Sequence, residues 1–144
     1  MAKLGGATVH ASAVLVGARA VLIRGASGVG KSRLAWQLIE AGRGGAVRFT
    51  KLVGDDRVHL QATGGRLLVR PAEALAGLVE LRGVGILRRD HEPCAVIGLV
   101  VDLGAPDAER LPERRETVIE GIALPRLAVA PAAPPLPLVL AMLT

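Results

Sequence analysis

Apolar residues fall in short runs whose period changes along the chain. Thr8 to Val16 runs apolar or alternates and predicts a first strand carrying His10. Gly17-Ala18-Arg19 then turns the chain into a second, buried strand, Ala20-Val21-Leu22-Ile23. Past a glycine-rich stretch the spacing becomes helical: Leu34, Ala35, Leu38 and Ile39 share one face, and Gly42 begins a Gly42-Arg43-Gly44-Gly45 loop that stops the helix. Lys51 to Val58 holds a short apolar strand ending in Asp55-Asp56. Val58 to Ala62 and Leu67 to Arg70 flank Thr63-Gly64-Gly65 as a β-hairpin. Pro71 opens a short helix through Ala76, Glu80 to Leu87 is extended, and Asp90 to Cys94 is a turn. Ala95 to Leu103 is a strand containing Asp102, Ala108 to Arg115 is a charged segment, and Glu116 to Ile122 and Leu127 to Val129 are short strands. The tail over 131–144 is apolar and Pro-rich. Pro131 to Pro137 reads as irregular, and Leu138 to Leu143 as a last half-turn or a subunit contact. Strand, loop and helix alternate as in an α/β fold, and residues 1–144 are expected to form a single domain.

Composition narrows the chemistry. With 51% apolar residues but one Phe, one Trp and no Tyr, the core must be aliphatic. The single cysteine, Cys94, excludes an internal disulfide framework and suits a reducing cytoplasm. No charged-then-apolar leader opens the chain, and the longest uncharged apolar stretch, Cys94 to Val101, is too short to span a bilayer. The formal net charge is +5, carried mostly by dispersed arginines, and stacking aromatics are missing. Nucleotide, phosphate or an acidic protein is therefore expected as partner, with neither nucleic acid nor membrane.

Gly25-Ala26-Ser27-Gly28-Val29-Gly30-Lys31-Ser32 fills every fixed position of the phosphate-binding loop G-x-x-x-x-G-K-[ST], between a predicted strand and a predicted helix. Its glycines let successive backbone N–H groups converge on an anion, and the helix start adds positive potential there. Lys31 can sit beside terminal phosphates, and the Ser32 hydroxyl can enter a Mg²⁺ shell. Asp55 and Asp56 form a second feature. As strand neighbours they would face opposite sides, one toward a site, able to hold Mg²⁺ through water or to accept a proton. An Asp-rich turn is the other reading. Glu80 and Arg82, on one face of an extended stretch lightened by Gly83 and Gly85, look like either ligand contacts or a strand-edge ion pair. His59 and His91 have no ligand set around them, so no structural metal is expected. Asp102 can pass for the carboxylate of a Walker-B strand.

Taken together, His10, the loop at 25–32, L-V-G-D-D-R-V at 52–58 and E-L-R-G-V-G-I at 80–86 resemble, in order, the catalytic domain of bacterial HPr kinase/phosphorylase. The resemblance runs from about Thr8 to Val129. It implies a mixed sheet of the kind shared with phosphoenolpyruvate carboxykinase, and a cytoplasmic serine kinase that uses ATP and Mg²⁺ on an HPr-type phosphocarrier. A homo-oligomer, of the hexameric kind, is implied too. By the same resemblance His10 is the active-site histidine, Lys31 binds phosphate, and Ser32 and Glu80 are magnesium ligands. Asp55-Asp56 supply the base, with Asp56 preferred, and Arg110 of Glu109-Arg110-Leu111 is a later active-site arginine. The chain resembles the short alphaproteobacterial form, without an additional N-terminal domain, and its Arg43 to Lys51 link is longer than usual. Where the family carries an arginine-containing stretch associated with phosphorolysis, this chain has Ala130-Pro131-Ala132-Ala133-Pro134, so weak or absent reverse activity is expected unless Arg126 or the Arg114-Arg115 pair substitutes. Two rivals are a generic phosphate-loop ATPase using Asp102 and a nucleotide-binding regulatory module without catalysis.

Overall fold

The computed structural model describes residues 7–110, 112 and 115–143. β1 (Val9–Val16) pairs antiparallel with β2 (Arg19–Arg24), and β2 leads through the glycine loop into α1 (Lys31–Arg43). β3 (Thr50–Gly54) and β4 (Arg57–Thr63) run along the other side of β1, interrupted only by Asp55-Asp56. β4 turns through Gly64-Gly65 into β5 (Arg66–Pro71); both glycines have positive φ, as the favoured two-residue hairpin turn requires. β6 (Leu78–Leu81) and β7 (Gly85–Arg88) form a separate hairpin. β8 (Ala95–Asp102) is followed by β9 (Glu116–Ile119), β10 (Ile122–Ala128) and α2 (Pro135–Leu143).

β8 organises the sheet. It runs parallel to β2 on one side; on the other it is antiparallel to β5 at its start and parallel to β10 at its end. Pairing therefore closes a circuit through β1, β2, β8, β5 and β4, with β10 and then β9 carrying the mixed sheet outward. Alternation along the central strands sends side chains into two layers. Val14, Val21, Ile23, Leu99 and Val101 pack with Leu34, Ala35 and Leu38 of α1, while Ala13, Leu22, Val53, Leu67, Val69 and Val100 fill the space on the other side. The result is a mixed α/β domain with an aliphatic core. No helix among the described residues is long and apolar enough to cross a membrane.

Three local expectations need correction. Gly42 does not stop α1: the helix runs on to Arg43, and the Gly44 N–H caps it on the Glu40 carbonyl at 2.9 Å. Gly42 is instead a contact point, since a Cβ there would stand 2.0 Å from Thr50 Oγ1, whose hydroxyl donates to the Ile39 carbonyl at 3.1 Å. Pro71 ends β5 rather than opening a helix, and only a 3₁₀ turn at Glu73–Leu75 follows. The tail is neither irregular to Pro137 nor a mere half-turn. Pro135 and Pro137 lie in the first turn of α2, where a missing N–H costs no intrahelical bond, and Val139 is buried in the layer that α1 covers.

Candidate functional site

α1 starts directly from the glycine loop. Gly30, the residue before it, has φ 110, and a Cβ there would meet nothing within 4 Å, so the loop is open on that side. Gly25 is required by contact, because a Cβ would come 2.6 Å from Val29 Cγ1. Lys31 is buried, and its Nζ donates to the Gly25 and Ala26 carbonyls at 2.8 and 3.0 Å. Burial pulls its pKa below the ordinary 10.5, opposed by the carboxylates of Asp56 and Asp55. The lysine thus closes the loop on itself, next to two anionic groups.

The aspartates lie in the turn between β3 and β4, not within a strand, and they diverge because Asp56 has left-handed backbone, φ 70. Asp55 is 3% exposed and saturated with donors. Ser12 Oγ donates to its Oδ1 at 2.6 Å, Ser32 Oγ lies 2.8 and 2.7 Å from its two oxygens, and the Glu80 N–H reaches Oδ2 at 3.3 Å. Asp56 is exposed, and its Oδ1 meets His10 Nε2 at 2.8 Å. The local fold thus gives two adjacent carboxylates opposite environments: one locked, one open.

The stretch from Glu80 is not continuously extended. β6 ends at Leu81 and β7 begins at Gly85, so Glu80 lies in a strand and Arg82 in the intervening turn. Glu80 keeps an exposed side chain while its backbone anchors Asp55. Arg82 Nη2 lies 3.2 Å from where a Gly28 Cβ would stand, so the hairpin turn reaches the glycine loop. His10, Lys31, Ser32, Asp55, Asp56 and the backbone of Glu80 are therefore linked through direct contacts and neighbouring residues. Arg110 is not drawn in: it is exposed in a bend, and no hydrogen bond or ion pair among the described residues ties it to these groups. Leu111 and Arg114 lie outside the described residues.

Asp102 is occupied otherwise. Arg24 Nε and Nη2 donate to its two oxygens at 2.7 and 2.9 Å, and Arg126 Nε donates at 2.5 Å. Arg126 also pairs with Asp107, and Arg115 with Asp107 and Glu109. This ladder crosses β2, β8 and β10 and leaves Asp102 no free oxygen for a Walker-B role. Burial raises the Asp102 pKa, but the hydrogen bonds from Arg24 and Arg126 outweigh it and hold the carboxyl below its ordinary 3.8. A carboxyl depressed in the fold stabilises above its unfolded pKa, and that contribution is lost as pH falls through the folded value. Asp102→Asn should therefore cost about 1–3 kcal/mol at pH 7. It should also shrink the loss of stability between pH 5 and pH 2, as followed by urea unfolding at each pH; an unchanged difference would show that the ladder does not couple to acid stability.

Sequence reasoning missed Ser12 and the Arg24–Asp102–Arg126 ladder. A signal for Ser12 existed: it is the polar residue two positions after His10 in an apolar strand, hence on the same face.

A locked carboxylate, an open carboxylate with its histidine and a hairpin turn thus gather around the glycine loop. The chain matches the HPr Serine kinase C-terminal domain over residues 4–92 and belongs to that family. It is 43% identical over 81 residues to HPr kinase/phosphorylase of Streptococcus thermophilus, covering 56% of this chain and 24% of that protein. It is 34% identical over 135 residues to HPr kinase/phosphorylase of Limosilactobacillus reuteri, covering 85% of this chain and 40% of that protein. The chain thus spans well under half the length of these curated relatives. Among solved structures, the HPr(Ser) kinase/phosphatase from Coxiella burnetii superposes with a TM-score of 0.76 at 26% identity, over 96% of this chain and 93% of that one.

Proposed function

We propose that this chain is a serine kinase that transfers the terminal phosphate of ATP to an HPr-type phosphocarrier protein, with Mg²⁺ as cofactor. The observation that carries this reading is the division of labour between the two aspartates. Asp55 is buried and bound by Ser12, Ser32 and the Glu80 N–H; Asp56 is exposed with one oxygen on His10. Asp56 is then the base, accepting the proton of the attacking serine hydroxyl as the new O–P bond forms and the bond to the ADP oxygen breaks.

The residues present fit the cofactors. Ser32 offers a hydroxyl oxygen and Glu80 an exposed carboxylate, the hard ligand type Mg²⁺ takes, and Asp55, within hydrogen-bond distance of Ser32, holds that hydroxyl in place. Among the described residues no three His, Cys, Asp or Glu side chains gather as a metal cage, so most of the ion's oxygens would come from phosphate and water. A bound Mg²⁺ supplies charge neutralisation between the phosphates. Loop amides from Gly25 to Ser32 and the start of α1 favour the polyanion, and Lys31 exchanges its loop carbonyls for phosphate oxygens. Arg110 has no contact with these groups among the described residues and is given no role in this scheme.

An acidic or phosphorylated protein partner suits the positive net charge, and exposed Val84 and Ile86 on the β6–β7 hairpin provide apolar surface for that partner or for a second copy in a homo-oligomer. A cytoplasmic setting fits the lone cysteine. Reverse phosphorolysis should be weak, because Arg126 and Arg115, the described candidates to replace the missing arginines, are already held by carboxylates. Comparing Asp56→Asn with Asp102→Asn, each supplied with ATP, Mg²⁺ and HPr-type protein, tests the reading. Transfer should collapse in the first and persist in the second; the reverse pattern would move the catalytic carboxylate to Asp102.

A further inference from the structure

Ser12 is fully buried in β1, flanked by the buried Ala11 and Ala13. The pairs His10↔Arg57 and Ala13↔Gly54 keep one antiparallel register, so Ser12 falls opposite Asp55 and Ala11 opposite Asp56. There the strand ladder breaks. The Ala11 N–H still reaches the Asp56 carbonyl at 3.1 Å, but the Asp56 N–H is turned away by its left-handed backbone and finds the Ser12 hydroxyl at 3.3 Å. The same hydroxyl donates to Asp55 Oδ1 at 2.6 Å. One side-chain oxygen therefore accepts from the backbone of one aspartate and donates to the carboxylate of the other.

We infer that Ser12 is a positioning residue that sets both aspartates at once, and this rests on the kinase reading above for its effect on turnover. Holding the Asp56 amide keeps a non-glycine residue in a conformation that disfavours a side chain, and so aims the Asp56 carboxylate outward at His10. Donating to Asp55 fixes one oxygen of that carboxylate and leaves its partner oxygen to Ser32 and the Glu80 amide. Among the described residues no other hydroxyl contacts both, and Ser32 reaches Asp55 alone of the two. Alanine at this position would fit among Ala11 and Ala13 without a steric fault, yet would leave the Asp56 N–H without its partner and Asp55 Oδ1 with Ser32 alone.

The test compares Ser12→Ala and Ser12→Thr in the intact chain. In Ser12→Ala the Asp56 amide should exchange about three- to tenfold faster by NMR. The kcat for transfer should fall about ten- to a hundredfold, with KM for ATP within about threefold, since the base and not the phosphate loop is misplaced. Ser12→Thr, which keeps the hydroxyl, should restore both readouts toward wild type. Faster exchange with unchanged kcat overturns the positioning role, as does a lower kcat with an unchanged Asp56 amide or with equal loss of ATP binding. If the wild-type chain transfers no phosphate at all, the kinase reading fails on its own, and the Asp56 amide together with the His10–Asp56 contact still decides whether Ser12 positions the pair.

Discussion

Asp56→Asn should lower the rate of phosphate transfer about 10²–10⁴-fold while nucleotide affinity stays within a few-fold. The substitution is nearly isosteric, and an amide oxygen can still accept from His10 Nε2, so the local geometry has no reason to collapse. What disappears is a group able to take the serine proton. Because Asp56 is exposed and, among the described residues, has His10 as its side-chain partner, no buried network is broken when it loses its charge. Asp55→Asn is the informative contrast. An amide there would turn two donor hydrogens toward a pocket that already supplies the Ser12 and Ser32 hydroxyls and the Glu80 N–H. That variant should lose stability by about 1–3 kcal/mol as well as activity. Steady-state rates, nucleotide titration and urea unfolding on the two variants separate the roles; equal loss of ATP binding and turnover at Asp56 would make it a metal ligand instead.

Lys31→Ala should abolish measurable transfer, a loss of about 10²–10³-fold or more, and weaken nucleotide binding with it. Its ammonium is buried at the start of α1, bonded to the Gly25 and Ala26 carbonyls and near both aspartates. Those carbonyl contacts keep the charge at the loop until a polyanion displaces them. Lys31→Arg should not rescue, because a planar guanidinium cannot occupy the space of a compact ammonium between two carbonyls. The fold should survive, since the apolar stripe of Leu34, Ala35, Leu38 and Ile39 and not Lys31 holds α1 to the sheet. Binding and transfer measured side by side, with circular dichroism as control, check this; wild-type turnover in Lys31→Ala would remove the loop from the mechanism.

Features specified by local spacing were legible in the amino-acid sequence. The α1 stripe, the glycine loop and the Gly64-Gly65 hairpin each depend on residues within a dozen positions, and each is where periodicity and turn chemistry put it. Features that depend on which strands lie side by side were not. Asp102 looked available because nothing near it in sequence reveals that parallel β2 and β10 bring Arg24 and Arg126 to either side. Ser12 meets Asp55 only through the register of β1 against β3 and β4. The reversal between β6 and β7 is hidden in the sequence because glycines suit lean extended backbone as well as turns, and here Gly83, with φ 84, turns the chain. The helix at the end was hidden by its own prolines, which are harmless in a first turn. The motifs at 25–32, 52–58 and 80–86 meet in space, but only the fold distinguishes the saturated Asp55 from the open Asp56.

The most direct measurement is to incubate the chain with ATP labelled at the terminal phosphate, Mg²⁺ and the HPr-type proteins of its host, and then locate the label. Transfer to a serine of the phosphocarrier, lost in Asp56→Asn and retained in Asp102→Asn, is the expected result. Release of labelled inorganic phosphate with none on protein, or binding of ATP with no turnover, would contradict it.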